Sequence, residues 1–240
     1  MKELSFTDAY PRIGVLDVET NGLDPKENKI IELGLAIYIF NGNKYEQKLK
    51  NNWLVKIDKP LEPKITEITN ITDKMLEEEG IERSELLDIL KATVTGVDLL
   101  MGYNAQFDLS FVYYELLQLE DSDEYLKEGY DLSGVSFIDV MAIVKDRKNY
   151  PHRLESALQH WGIELENTHR ALDDALATYE VFKVLMTEKF VPEAYVNRFG
   201  WYKSINGYKF PHVTYVAQGL NGNPIVYNNF LSERKKKLNE

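Results

Sequence analysis

A chain of 240 residues, 44% of them hydrophobic, has room for one large domain, or one domain plus an appendage, around a real core. No apolar run reaches the ~18 residues of a membrane helix, and Met1-Lys2-Glu3-Leu4 does not open a signal-peptide pattern. Cysteine is absent, which removes disulfides and thiolate metal ligands together, so a cytoplasmic protein is expected.

The net charge of −11 looks wrong for a partner of nucleic acid until it is divided along the chain. Residues 189–240 hold eight Lys/Arg and three Glu, a balance of +5, which leaves −16 for residues 1–188. The expectation is an acidic, metal-binding body with a basic arm. A solvated tail that merely aids solubility is the alternative.

Ile13 to Val18 is predicted as a strand, and the apolar run Ile30 to Phe40 as a second. Asn41-Gly42-Asn43 supplies a turn into a third strand, Lys44 to Ile57, completing an antiparallel meander that Pro60 and Pro63 break. Leu86, Leu87, Leu90 and Val94 share one helical face after a Ser84 cap. Val97 to Tyr103 then reads as a buried strand. Asp108 opens a helix with Val112, Glu115, Leu116 and Leu119 in register, and Val135 to Val140 is another strand. Leu154, Ala157, Leu158 and Trp161 fit a helix that Gly162 ends, and a last helix runs from about Arg170 to Lys189. A meander followed by alternating helices and strands predicts an α/β domain with a mixed sheet.

Beyond residue 190 the pattern changes. Trp201, Tyr202, Tyr208, Phe210, Tyr215 and Tyr227 interleave with Gly200, Gly207, Gly219 and Gly222. We expect a domain over residues 1–190 and a basic, aromatic-rich appendage over 191–240. The aromatics either stack on bases or pack on the main domain, and packing is the favoured alternative.

Three short segments concentrate the chemistry. Asp17 and Glu19 are two apart on a strand, so both side chains leave one face while Leu16 and Val18 leave the other. Paired carboxylates there repel each other and lose solvation unless a cation sits between them. Asp108 follows Gly102-Tyr103-Asn104-Ala105 at the end of a buried strand, where α/β proteins place functional loops. At helical spacing Asp174 shares its face with Ala171, Thr178, Val181 and Phe182, whereas Asp173 shares one with Arg170, Ala177 and Glu180. Asp174 is therefore predicted to face the core and Asp173 the solvent. His169 lies at the entry to this helix. Four carboxylates and an imidazole are an inventory for hard cations and an activated water. Asp139 is read as a helix cap or structural acid, His160 as surface or packing, and His152 as a weaker alternative base.

Asp17-Val18-Glu19-Thr20-Asn21-Gly22, Asn104-Ala105-Gln106-Phe107-Asp108 and His169 followed five residues later by Asp174 resemble, in order and spacing, the motifs of the DnaQ-like (DEDDh) 3′–5′ exonuclease family. The likeness spans about residues 10–190 and includes the epsilon proofreading subunit of bacterial DNA polymerase III. It implies a ribonuclease H-like three-layer fold with helices on both faces of the sheet. It also implies two divalent ions, Mg²⁺ or Mn²⁺, held by Asp17, Glu19, Asp108 and Asp174, with His169 as general base. By the same likeness Thr20, Leu23, Ile71, Asn104 and Phe107 would line a terminal-nucleotide pocket. Asn21 stands where the family commonly has Thr, and Tyr103 where many relatives have His. The implied activity is 3′–5′ exonucleolysis to nucleoside 5′-monophosphates, on DNA (a single strand or a mispaired 3′ end) ahead of RNA trimming. The implied partners are nucleic acid and a polymerase or replication complex. A non-catalytic binding module on the same fold, or a small-molecule phosphatase, are the competing readings.

Overall fold

The computed structural model describes residues 5–117, 132–165, 170–188, 191–200, 207–216 and 225–238. Three strands form an antiparallel meander: β1 (Arg12–Thr20), β2 (Ile30–Phe40) and β3 (Tyr45–Leu54). β4 (Leu99–Gly102) and β5 (Ser136–Asp139) add in parallel, giving the order β3-β2-β1-β4-β5. The mixed sheet expected from the meander and the later helix–strand alternation is present.

The helices are α1 (Phe6–Ala9), α2 (Pro63–Thr69), α3 (Asp73–Glu79), α4 (Arg83–Gly96), α5 (Gln106–Leu117), α6 (Val140–Arg147), α7 (Leu154–Trp161) and α8 (Ala171–Thr187). Alternation along β1 sends successive side chains into two different cores. Ile13 and Val15 pack with Ala36, Met101 and Ile138 against Ala175, Val181 and Phe182 of α8. Leu16 and Val18 pack with Leu33, Leu35 and Leu100 against Leu86 and Leu90 of α4 and Leu109 and Val112 of α5. The sheet thus carries helices on both faces, the three-layer ribonuclease H-like arrangement. A third core gathers Ile31, Leu54, Leu61, Ile71 and Leu76 beneath α2 and α3.

Element ends follow local chemistry. Gly162 adopts a left-handed conformation (φ 63°) and stops α7, as expected. Thr72 caps α3 by accepting a hydrogen bond from the Met75 amide. Ser84 does not cap α4; the cap position is Glu82, two residues earlier, which makes no side-chain cap bond. The sequence is short of a cap there because the helix start is held by packing instead, with Leu86 and Leu90 in the core.

The described parts of residues 191–238 lie against the sheet domain. A 3₁₀ turn (Pro192–Tyr195) leads to β6 (Arg198–Gly200), which pairs in parallel with β7 (Thr214–Val216), and α9 (Ile225–Leu238) follows. The Asn197 amide donates to the Phe137 carbonyl (2.8 Å), and its side-chain oxygen accepts from the Phe137 amide (2.7 Å). Tyr195 and the Tyr227 amide both donate to the buried Asp146 carboxylate. Tyr208 stacks on Tyr113 of α5 at 3.6 Å, and Gln106 donates to the Tyr208 carbonyl and accepts from the Tyr215 hydroxyl. These aromatics are packed on the domain. Trp201, Tyr202, Gly219 and Gly222 lie outside the described residues, as does Leu119 of the α5 pattern. Arg234, Lys235 and Lys236 of the basic arm belong to α9, and these three side chains are exposed. No helix among the described residues is long and apolar enough to cross a membrane.

Candidate active site

β1 is nine residues long but pairs with β4 only through Ile13, Gly14 and Val15. Its second half therefore runs past the end of β4, with backbone groups that need other partners. Asp108, in the first turn of α5 and only 3% exposed, supplies one: its carboxylate accepts the Val18 amide hydrogen at 3.0 Å. This bond ties the first turn of α5 to β1 beside Asp17 and Glu19, whose side chains leave the strand on the face opposite Val18.

On that other face lies α8. Its carboxylate, Asp174, meets Asp17 and Glu19 so that one oxygen from each lies within 4.8 Å of the others. All three are partly buried. The neighbouring Asp173 is exposed, as helical spacing predicted. The approach of α8 to the sheet depends on Gly34 of β2. A Cβ there would lie 2.1 Å from the Ala171 carbonyl carbon and 2.2 Å from the Leu172 nitrogen, so only glycine lets the helix start rest on the strand.

Electrostatics show which ligand the cluster suits. Burial, followed by repulsion from Asp108, Asp174, Glu19 and Glu32, pushes the Asp17 carboxyl well above the ordinary range. Burial, then Asp174 and Glu32, raise Glu19 to about 8, against a smaller opposing pull from Arg170. Burial also raises Asp108, against the stabilising amide bonds from Val18 and from its own backbone. Carboxylates forced together in this way are costly as bare anions, and all are hard oxygen donors. The donor set fits Mg²⁺ or Mn²⁺, which take carboxylate oxygens.

The strand-to-loop exit is fixed locally. Thr20 donates to the Gly22 carbonyl (2.6 Å), and the Asn21 side chain accepts from the Lys29 amide (2.7 Å), extending the β1–β2 ladder past the irregularity at Glu19/Thr20. Asn21 thus closes the loop. Leu23 projects from this loop, 78% exposed. On the opposite rim Asn104 takes a left-handed conformation (φ 65°). The Asp139 carboxylate accepts from the Asn104 and Ala105 amides and also caps α6 through Met141. Phe107 is partly buried against Phe111.

Of the residues singled out in the sequence, Asp17, Glu19 and Asp174 come together, and Asp108 braces the same strand. Thr20, Leu23, Asn104 and Phe107 sit on the segments bearing Asp17, Glu19 and Asp108. Ile71 does not join them: it is fully buried in the core beneath α2 and α3 and offers no surface to a nucleotide. His169 lies outside the described residues. His152 is engaged, its Nε2 within 3.0 Å of the Lys148 carbonyl, and burial lowers its pKa. Sequence reasoning passed over Glu32, Asn52 and Gly34, which build the seat of α8. The available signal was a lone acid followed two residues later by glycine inside the apolar run Ile30 to Phe40.

Comparison with known proteins agrees with this geometry. The RNase T model, described as "Exonuclease", matches residues 15–182, most of the chain and every element of the acidic cluster. A PolC-type DNA polymerase III of Clostridium perfringens is 30% identical over 191 residues, covering 75% of this chain and 11% of the relative. The corresponding protein of Thermotoga petrophila is 34% identical over 189 residues, covering 76% and 12%. The chain therefore spans about a tenth of the length of these relatives. The zinc-bound E. coli ExoI complex with single-stranded DNA superposes with a TM-score of 0.59 at 20% identity, over 74% of this chain and 41% of that one. S. pombe Pop2p, in its Mg²⁺- and Mn²⁺-bound form, gives 0.60 at 18% identity, over 78% and 86%. The order of the motifs, the mixed sheet and the acidic pocket at the end of β1 have one common explanation: the chain belongs to the RNase T/DnaQ-like family of 3′–5′ exonucleases.

Proposed function

We propose that the protein removes nucleotides one at a time from the 3′ end of DNA, releasing nucleoside 5′-monophosphates. The observation that carries this is the meeting of Asp17 and Glu19 with Asp174, from elements remote in sequence, at the open end of β1. Asp17, Glu19, Asp174 and Asp108 would hold two divalent cations. Bound there, Mg²⁺ or Mn²⁺ would sharpen the attacking water and stabilise the leaving 3′ oxygen. His169 takes the proton from that water, since an imidazole titrates near working pH. Asp108 keeps the end of β1 in place through the Val18 amide. Thr20, Leu23, Asn104 and Phe107 flank the terminal nucleotide. Leu23, exposed on the loop after Glu19, is an apolar surface on which a base can rest.

DNA is placed ahead of RNA because the polymerase relatives are DNA polymerases and the ExoI structure holds single-stranded DNA. A replication complex is the matching partner. We treat residues 1–190 as the nuclease body and 191–240 as the appendage, whose exposed Arg234, Lys235 and Lys236 would meet phosphates. The test incubates a 5′-labelled single-stranded DNA, and its RNA counterpart, with Mg²⁺, with EDTA, and with the Asp174→Ala protein. A ladder shortening from the 3′ end only with metal and only in the wild type supports the reading, and the faster strand names the substrate. If neither strand shortens while both bind, the chain is a binding module on a nuclease fold.

A further inference from the structure

Helix α8 starts without a cap of its own. Arg170 stands at the cap position and its side chain makes no cap bond. The first amides of a helix have no partner inside it, and here they are satisfied from the sheet. Glu32 Oε2 accepts from the Ala171 amide (3.0 Å), and Asn52 Oδ1 accepts from the Leu172 amide (3.1 Å). Glu32 and Asn52 are joined in turn, Asn52 Nδ2 donating to Glu32 Oε1 at 2.6 Å. Arg170 closes the set, its Nε 2.7 Å and its Nη2 2.5 Å from the same oxygen.

Glu32 is 0% exposed, and every partner named above is a donor, so the position requires a carboxylate; an amide would turn its own N–H toward another donor. The residue lies directly opposite Glu19 in the β1–β2 ladder, and Gly34, two residues on, lies opposite both Asp17 and Asn52. The seat of α8 and the acidic pocket are thus neighbouring rows of one sheet face. Whatever fixes Ala171 and Leu172 fixes Asp174, one helical turn on. It also fixes Arg170, the immediate sequence neighbour of His169.

We propose that Glu32, with Arg170 as its partner, is a positioning residue for the reaction: it replaces the missing helix cap and sets the distance between Asp174 and the β1 carboxylates. The idea rests on the exonuclease reading above, but it can be tested apart from it through cation binding. A charge effect and a positioning effect differ in sign at Arg170. Removing that cation should tighten divalent binding if only charge matters, and weaken it if the helix seat matters.

The experiment titrates Mn²⁺ into the full chain by electron paramagnetic resonance, for wild type, Glu32→Gln, Arg170→Gln and Leu86→Ala. The last leaves a cavity in the other core and controls for general loss of stability, with all titrations run well below each melting temperature. We expect Glu32→Gln and Arg170→Gln each to weaken Mn²⁺ binding by about tenfold and to lower kcat on a labelled oligonucleotide with KM little changed. Leu86→Ala should match wild type in affinity. Should Glu32→Gln fail to fold, Arg170→Gln, whose side chain is partly exposed, decides alone. Tighter binding in Arg170→Gln, or wild-type affinity in both variants, overturns the proposal. Absence of any metal-dependent shortening by the wild type would sink the exonuclease reading while leaving the affinity comparison to judge the seat of α8.

Discussion

Gly34 lies directly opposite Asp17 in the β1–β2 ladder, and the first residues of α8 rest on it. The space left by a missing side chain is what brings the helix carboxylate to the strand carboxylates. Gly34→Ala should therefore push the helix away, because the obstructing atoms are Ala171 and Leu172 backbone that cannot rotate aside. Overpacking of this kind costs about 1–3 kcal/mol, and a misplacement of about 1 Å can cost about a hundredfold in rate. Urea unfolding and kcat on a labelled oligonucleotide would check both. A variant with wild-type turnover would show that α8 adapts without moving Asp174.

How far the chain could be read in advance depended on the range of each signal. The shared face of Asp17 and Glu19, and the opposite exposures of Asp173 and Asp174, follow from periods of two and 3.6 residues that any short window displays. The long strand at Ile30 to Phe40 was legible to the residue. Glu32 was hidden inside it, since its partner Arg170 is 138 residues away and no local pattern links them. The bond from Val18 to Asp108 likewise depends on β1 outlasting β4, a matter of register. Ile71 was placed in the pocket by resemblance alone, whereas its side chain is buried in the core with Leu54, Leu61 and Leu76.

Asp108 has two separable roles, and substitution should divide them. Asp108→Asn keeps an oxygen for the Val18 amide, so stability should stay near wild type while metal-dependent activity falls by more than about a hundredfold. Asp108→Ala strands a buried N–H, which costs about 1–3 kcal/mol, and should be inactive as well. Thermal melts beside oligonucleotide shortening would show the split. Equal destabilisation by Asn and Ala would mean that the bond to Val18 contributes little.

The acidic pocket also sets function against stability. Asp17 is raised by burial and by the neighbouring Asp108, Asp174, Glu19 and Glu32, so replacing it with Asn removes a strained group. In EDTA, Asp17→Asn should melt at a higher temperature than wild type. With Mg²⁺ it should lose both activity and most of the metal-induced rise in melting temperature. A lower melting temperature in EDTA would mean that Asp17 makes a structural contribution larger than its repulsion.

The same repulsion predicts an uncommon pH dependence. Glu19 is raised from 4.5 to about 8, chiefly by burial and then by Asp174 and Glu32. Between those values the metal-free folded protein holds a proton that the unfolded chain has released. Raising the pH through this window therefore favours unfolding, and the loss is complete only above about 8. A divalent cation competes with that proton, so its apparent affinity should climb with pH across the same window. Melting in EDTA should fall between about pH 5 and about pH 8, whereas with saturating Mg²⁺ the fall should be absent or reversed. Glu19→Gln, which removes the titrating group itself, should show a shallower decline in EDTA. That comparison separates the pocket from the many other groups that titrate, and a variant declining as steeply as wild type would place the effect outside the pocket.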